Sequence, residues 1–257
     1  MTTKVAVVTA SDSGIGKQCA LELARRGFSV GVTWHSDEQG AWQTVQEIVA
    51  LGQQAQAIQL DLSHLPEGAK ALETLIARLG RIDVLVNNAG RMAKAPVLDV
   101  TLEDWRATFS VDVEGALLCS QIAAKQMIAQ GEGGRIINIT SVHEHTPLPE
   151  ASAYTAAKHA LGGLTKSLAL ELVGHQILVN AVAPGAIATA MNSLKDDEVK
   201  PGSMPNIPMA RPGKTEEISG MVAWLCSDEA TYLTGQSLIV DGGFMLVNPQ
   251  YFNRKTS

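Results

Sequence analysis

Aromatic residues are scarce in this chain, at 4% of 257 positions, and cysteines are fewer still. The three thiols, Cys19, Cys119 and Cys226, are odd in number, widely spaced and set in apolar helical patterns. That usage argues against a disulfide framework or a metal site and predicts buried, reduced thiols. An excess of base is also missing: 26 acids face 20 Lys and Arg, for a net charge of -6. This balance argues against nonspecific nucleic-acid binding and against an anionic membrane surface, while a local basic pocket remains allowed. No apolar run has the length to span a bilayer. Met1-Thr2-Thr3-Lys4 leads directly into a strand pattern, with no room for a signal peptide, so a cytoplasmic location is expected. What the chain does have is aliphatic: 46% apolar residues against 18% charged, enough for a substantial core.

Val5-Ala6-Val7-Val8-Thr9 reads as a short buried strand. A small-residue turn follows, and then a helical pattern over 17–26. Further strands are predicted over 28–33, 55–60, 82–86, 135–139, 177–182 and 236–240. Helical patterns lie between them: one opened by a capping box at Ser36-Asp37-Glu38-Gln39, then 67–79, a long region from 101 to about 130 interrupted by Gly115 and closed by Gly133-Gly134, 154–173, and 215–226. Strand and helix alternate without a composition break. That predicts one α/β domain over 1–257, a doubly wound parallel sheet of about seven strands with helices on both faces. The stretch 186–212 is rich in Pro, Met and small residues without clear period, and is expected to be a substrate lid. The polar tail 248–257 is expected to be loose or docked on another subunit.

The chemistry gathers at strand ends, where open parallel sheets bind ligands. Ala10-Ser11-Asp12-Ser13-Gly14-Ile15-Gly16 is a strand-to-helix turn of the kind that aims backbone N–H groups at a pyrophosphate, with Gly14 and Gly16 permitting close approach. The second strand ends at Trp34-His35-Ser36 with no acid to accept from a ribose 2′-hydroxyl. This leans toward NADP over NAD, with His35 and Ser36 as phosphate partners or as plain loop residues. Asp61-Leu62 ends the third strand, where the carboxylate either accepts from an adenine amino group or serves as a turn acid. Asn87-Asn88-Ala89-Gly90 ends the fourth and suits a turn against a nucleotide. Ser141 follows the fifth strand. Tyr154 and Lys158 are four apart on a helix and face one pocket. A phenol is a weak acid, and a nearby ammonium favours its phenolate, so the pair suits proton transfer.

The order Thr9-x-x-x-x-Gly14-Ile15-Gly16, Asn87-Asn88-Ala89-Gly90, Ser141, Tyr154-x-x-x-Lys158 and Pro184-Gly185 with Thr189 resembles the short-chain dehydrogenase/reductase family over nearly the full length. The resemblance implies a Rossmann-type fold, an NADP or NAD cofactor and oxidoreduction of a secondary alcohol or sugar hydroxyl and its carbonyl. It also implies that Ser141 positions the reacting oxygen, Tyr154 transfers the proton and Lys158 holds the nicotinamide ribose and tunes Tyr154. Ile187 and Thr189 would touch the carboxamide region. Family members form homodimers or homotetramers through two long helices, for which Leu117, Leu118, Leu164 and Leu168 are candidates. Two positions depart from the family pattern. Ala10 stands where glycine is usual, which is tolerable if φ stays negative. Asp112 stands where a catalytic Asn is usual; the resemblance implies that the main-chain carbonyl of this residue holds a water in a proton relay to Lys158, which Asp can keep, although an ionised carboxylate cannot donate. Ser141-Val142-His143-Glu144 is similar to the glucose dehydrogenases of the family, so His143 and Glu144 are candidates either to reach a hydroxylated substrate or to serve in loop hydrogen bonding. A metal at His143-Glu144-His145 is not expected. The rival readings are a dinucleotide-binding redox sensor without turnover and a purely structural oligomer.

Overall fold

A computed structural model describes residues 3–194 and 199–247. The tail 248–257 lies outside the described residues, as do four positions within 186–212. Seven parallel strands form a single sheet: β1 (Val5–Val8), β2 (Ser29–Trp34), β3 (Ala55–Gln59), β4 (Val84–Asn87), β5 (Gly134–Ile139), β6 (Ile177–Pro184) and β7 (Ser237–Val240). Their order across the sheet is β3-β2-β1-β4-β5-β6-β7. The winding direction reverses between β1 and β4, and such a reversal opens a crevice at the carboxyl ends of the strands.

The helices are α1 (Gly14–Arg25), α2 (Glu38–Ala50), α3 (Lys70–Leu79), α4 (Leu102–Phe109), α5 (Gly115–Gln130), α6 (Ser152–Leu172) and α7 (Thr215–Leu225). Strand side chains alternate between the sheet's faces, and each face carries its own core. Ala6 and Val8 of β1 pack with residues of α1, α2 and α7, while Val7 packs with residues of α3, α5 and α6. Fully buried side chains such as Ile48, Leu72, Leu75 and Ile136 fill these layers, each contributing about 1.5–3 kcal/mol of burial. Cys19, Cys119 and Cys226 are free and buried. Burial pushes the Cys119 and Cys226 thiols up to about 12, which leaves them inert as nucleophiles.

Two local readings are corrected. The N-cap of α2 is Asp37, whose carboxylate accepts from Gly40 N at 2.9 Å, so the helix opens at Glu38 and Ser36 stays outside it. The interruption expected at Gly115 in the helical region after Thr101 is a π-helical turn, Ser110–Glu114, which splits α4 from α5. The region ends at Gly131, in the left-handed conformation at φ +72, because Gly134 already belongs to β5.

Candidate active site

Tyr154 and Lys158 stand one helical turn apart on α6, and both line a cavity of about 630 Å³ at the carboxyl ends of the strands. The Lys158 Nζ lies 5.4 Å from the centroid of the Tyr154 ring. The Tyr154 side chain is nearly buried, yet its hydroxyl makes no protein hydrogen bond among the described residues. A polar tip left free in a cleft is available for a ligand. Lys158 Nζ donates to the Ile139 carbonyl at 3.2 Å and sits 3.1 Å from Asp112 Oδ2. The second contact is an ion pair set off-axis for a hydrogen bond. Both side chains are sealed from water, at 4% and 0% exposure. Burial disfavours the Lys158 ammonium, but the combined pull of Asp112, Tyr154 and Glu144 outweighs it and holds the amine above its ordinary value. Burial likewise raises the Asp112 carboxyl, opposed in part by Lys158 and by Arg91 N, which donates to Oδ1 at 2.7 Å.

The π-helical turn is what aims Asp112 at Lys158, a common use of such bulges. Gly90 lies beside the pair: a Cβ there would make ordinary contact, 3.4 Å from Lys158 Nζ and 3.5 Å from Asp112 Oδ2. Ser141 caps the short turn Val142–Glu144 that follows β5. Its Oγ accepts from His143 N at 3.1 Å, which leaves the hydroxyl hydrogen free to be donated. The His143 ring meets the Tyr154 ring edge-on, with centroids 6.3 Å apart. Glu144 does not join them. Its carboxylate turns inward, accepts from Ser237 Oγ at 2.7 Å and packs on Gly162, so the expectation that it reaches a substrate is corrected. A Cβ at residue 162 would overlap that carboxylate, and glycine there is what admits it.

The strand-to-helix turn fits a dinucleotide phosphate. Ser13 makes no side-chain bond to the first turn of α1, so the helix's leading N–H groups are left for an anion. Gly14 has φ +55, and a Cβ at Gly16 would overlap the Ala10 carbonyl and come within 2.5 Å of Asn88 Nδ2. Asn88, placed by the sequence in a turn against a nucleotide, has a bracing role. Its Nδ2 donates to the carbonyls of Thr9 and Ala10, both at 3.0 Å, and braces the turn from β4. The condition of a negative φ at Ala10 is not met, since it adopts φ +49. Ala10 N donates to Thr33 Oγ1 and its carbonyl accepts from Asn88, and this pairing holds the residue in the left-handed region. Such a conformation costs a non-glycine residue about 1–2 kcal/mol. Ala10→Gly is therefore expected to raise stability by about 1 kcal/mol after the added chain entropy of glycine. A urea titration checks this, and an unmoved midpoint would mean that packing of the methyl offsets the strain.

Asp12, Ser13, Gly14, Ile15, Gly90, Ser141, His143, Tyr154, Lys158, Pro184, Gly185, Ile187 and Thr189 share the cavity wall. Other candidates brace it from behind. Thr9 Oγ1 accepts from Asn88 N and Ala89 N, and Ser11 Oγ ties β1 to β2 through Val8 O and Thr33 N. Asn87 is buried, with Nδ2 donating to Ser120 Oγ and Asn138 Oδ1. Leu62 is buried in the core beside Gly115. Burial raises the Asp12 carboxyl, against the hydrogen bonds of its own turn. His35 and Asp61 lie outside this cavity at the ends of β2 and β3, with His35 Nε2 3.4 Å from Asp61 Oδ1. Asp61 accepts from Ser63 N and Ser63 Oγ and also pairs with His64 Nδ1, and these contacts hold its carboxyl down to about 2. These bonds give it the part of a turn acid, and the ionised carboxylate keeps its capacity to accept from a further donor. Among the described residues, no group of three His, Cys, Asp or Glu is disposed to hold a metal.

A family model described as enoyl-(acyl carrier protein) reductase matches residues 9–245. The chain is 70% identical to the oxidoreductase YohF of Escherichia coli K12, over 96% of this chain and 98% of that protein. Its fold is similar to a crystal structure named acetoin dehydrogenase YohF from Salmonella typhimurium, with TM-score 0.94, 69% identity and 97% and 98% of the two chains covered. It is also similar to a blue fluorescent protein from a metagenomic library solved with NADPH, with TM-score 0.85, 38% identity and 94% and 97% coverage.

Proposed function

Because this chain belongs to the short-chain dehydrogenase/reductase family, we propose that its cleft works through Ser141, Tyr154 and Lys158, with Asp112 as the counter-ion of Lys158. The chain is an NAD(P)-dependent oxidoreductase that interconverts an alcohol and its carbonyl. When bound, the nicotinamide gives or takes the hydride. Ser141 donates its free hydroxyl hydrogen to the substrate oxygen. Tyr154 Oη gives that oxygen its proton in reduction and takes it back in oxidation. Lys158 places a positive charge beside the ring, which stabilises the phenolate left after proton transfer. The turn of Ser13-Gly14-Ile15-Gly16, with Thr9 and Asn88 bracing it, holds the dinucleotide phosphates. Pro184, Gly185, Ile187 and Thr189 wall the nicotinamide end, and the described stretches 186–194 and 199–212 cover the substrate.

The observation that carries this reading is the Lys158 ammonium 5.4 Å from the ring of a tyrosine whose hydroxyl is free in the cleft. NADP is the better fit of the two dinucleotides. No acid ends β2 before Asp37, the Asp37 carboxylate is occupied in capping α2, and one structural neighbour carries NADPH. The Salmonella relative's name points to small hydroxyketones as substrates. Loss of absorbance at the reduced-nicotinamide band, followed with NADPH and NADH over ketones, hydroxyketones and sugars, tests both points. No turnover with any carbonyl would defeat the assignment of the cleft.

The chain is further proposed to be cytoplasmic, in keeping with three free buried thiols, and to assemble as a homodimer or homotetramer. Leu118 and Leu168 pack on the chain's own core, whereas Leu117 and Leu164 remain half-buried and Leu170 is exposed. Sedimentation is expected to give two or four times the 27.2 kDa chain mass, and a monomer at micromolar concentration would rule this out.

A further inference from the structure

We propose that His143 reads a second hydroxyl of the substrate: its Nε2 accepts a hydrogen bond from a hydroxyl on the carbon next to the reacting one, favouring α-hydroxyketones and vicinal diols over plain ketones and alcohols. This rests on the assignment of the cleft given above and adds a rule of substrate choice to it.

The tautomer carries the argument. His143 Nδ1 lies 3.1 Å from the Thr146 carbonyl, and a carbonyl can only accept. Nδ1 therefore bears the hydrogen, and in the neutral ring Nε2 is left with its lone pair. Burial lowers the pKa of the imidazole, opposed by that same hydrogen bond, so the neutral ring is favoured. Nε2 has no partner among the described residues, and the side chain lines the cavity edge-on to Tyr154. The two groups expected to meet the reacting oxygen, the Ser141 and Tyr154 hydroxyls, are donors there. Beside them stands one acceptor with nothing to accept from. A carbonyl compound held by the two donors completes this set only if the neighbouring carbon carries an O–H.

In reduction of such a hydroxyketone, a hydride from the reduced dinucleotide bonds to the carbonyl carbon and the Tyr154 proton bonds to its oxygen. The C=O π bond breaks, the cofactor is oxidised by two electrons, and a vicinal diol forms. The neighbouring hydroxyl stays intact and donates to Nε2 before and after.

The test compares kcat/KM for 3-hydroxybutan-2-one and butan-2-one in wild type, His143→Phe and His143→Gln. Loss of one neutral hydrogen bond is expected to lower the ratio of kcat/KM for the hydroxyketone over butan-2-one about tenfold in His143→Phe. His143→Gln, whose Oε1 can accept, should recover most of the loss. An equal fall on both ketones, or no fall on either, would overturn the proposal while the reading of the cleft stands. A wild type inactive on every carbonyl would sink both. A readout free of turnover is the Nε2 resonance in ¹⁵N spectra of wild type holding reduced dinucleotide. Adding butane-2,3-diol, which cannot react with the reduced cofactor, should shift that resonance, and an unmoved signal counts against the hydrogen bond even if the Phe variant fails to fold.

Discussion

Tyr154→Phe is expected to lower kcat/KM by about 10²–10⁴-fold, the usual worth of a positioned proton donor, with dinucleotide binding and fold retained. The separation of effects follows from the hydroxyl's surroundings. It has no protein hydrogen bond among the described residues, so its removal strands no buried partner. The ring stays in its place against His143 and below Lys158. Stability should then change by no more than about 0.5 kcal/mol. Fluorescence titration with NADPH and a thermal melt, set beside turnover, check the three parts. Turnover within about threefold of wild type would remove Tyr154 from proton transfer, because one general acid is worth at least about 10²-fold.

Lys158→Met is expected to cost about 3–5 kcal/mol of folding stability as well as turnover, since it leaves the Asp112 carboxylate buried without its counter-ion. Asp112→Asn on top of Lys158→Met should return most of that loss, because an amide can still serve Arg91 N without carrying charge. The pH dependence has a definite sign. Burial holds the folded carboxyl of Asp112 above its unfolded value. Removing Lys158 takes away an opposing influence and lifts it further. Stability linked to this group is full below about pH 3.9, the ordinary aspartate value, and is lost as pH rises through the raised folded value. Lys158→Met should therefore lie nearest to wild type in acid and fall away toward neutral pH. Lys158 itself is held above its ordinary value in wild type, so its contribution persists below about pH 10.4 and is lost only on further rise. In Asp112→Asn that upward pull is gone, and the alkaline limb of kcat/KM should move to lower pH. Urea unfolding across pH and a kcat/KM profile read these effects. A Lys158→Met chain as stable as wild type at neutral pH would mean that the ion pair does not hold the site together.

The fold was legible because its signals are local. Alternating aliphatic strands and amphipathic helices repeat along the chain with turn residues between them, and the periods survive any tertiary arrangement. The Tyr154–Lys158 pairing was legible for the same reason, since a helix alone brings residues four apart to one face. The partner of Lys158 was not. Asp112 comes within 3.1 Å because the π-helical turn that carries it packs against α6.

From sequence, Glu144 and His143 were equal candidates for the substrate. The structure separates them, because Gly162 opens a slot that takes one carboxylate into the protein, while Thr146 fixes the imidazole at the cavity wall. Ala10 is a similar case. Its type permitted a negative φ, and hydrogen bonds from Asn88 and to Thr33 imposed a positive one. Sequence alone thus determined the order of elements and the chemistry waiting at the strand ends, since both depend on neighbours along the chain. Which side chains turn into the cleft, and which charge answers Lys158, depended on neighbours across space, and only packing in three dimensions decided them.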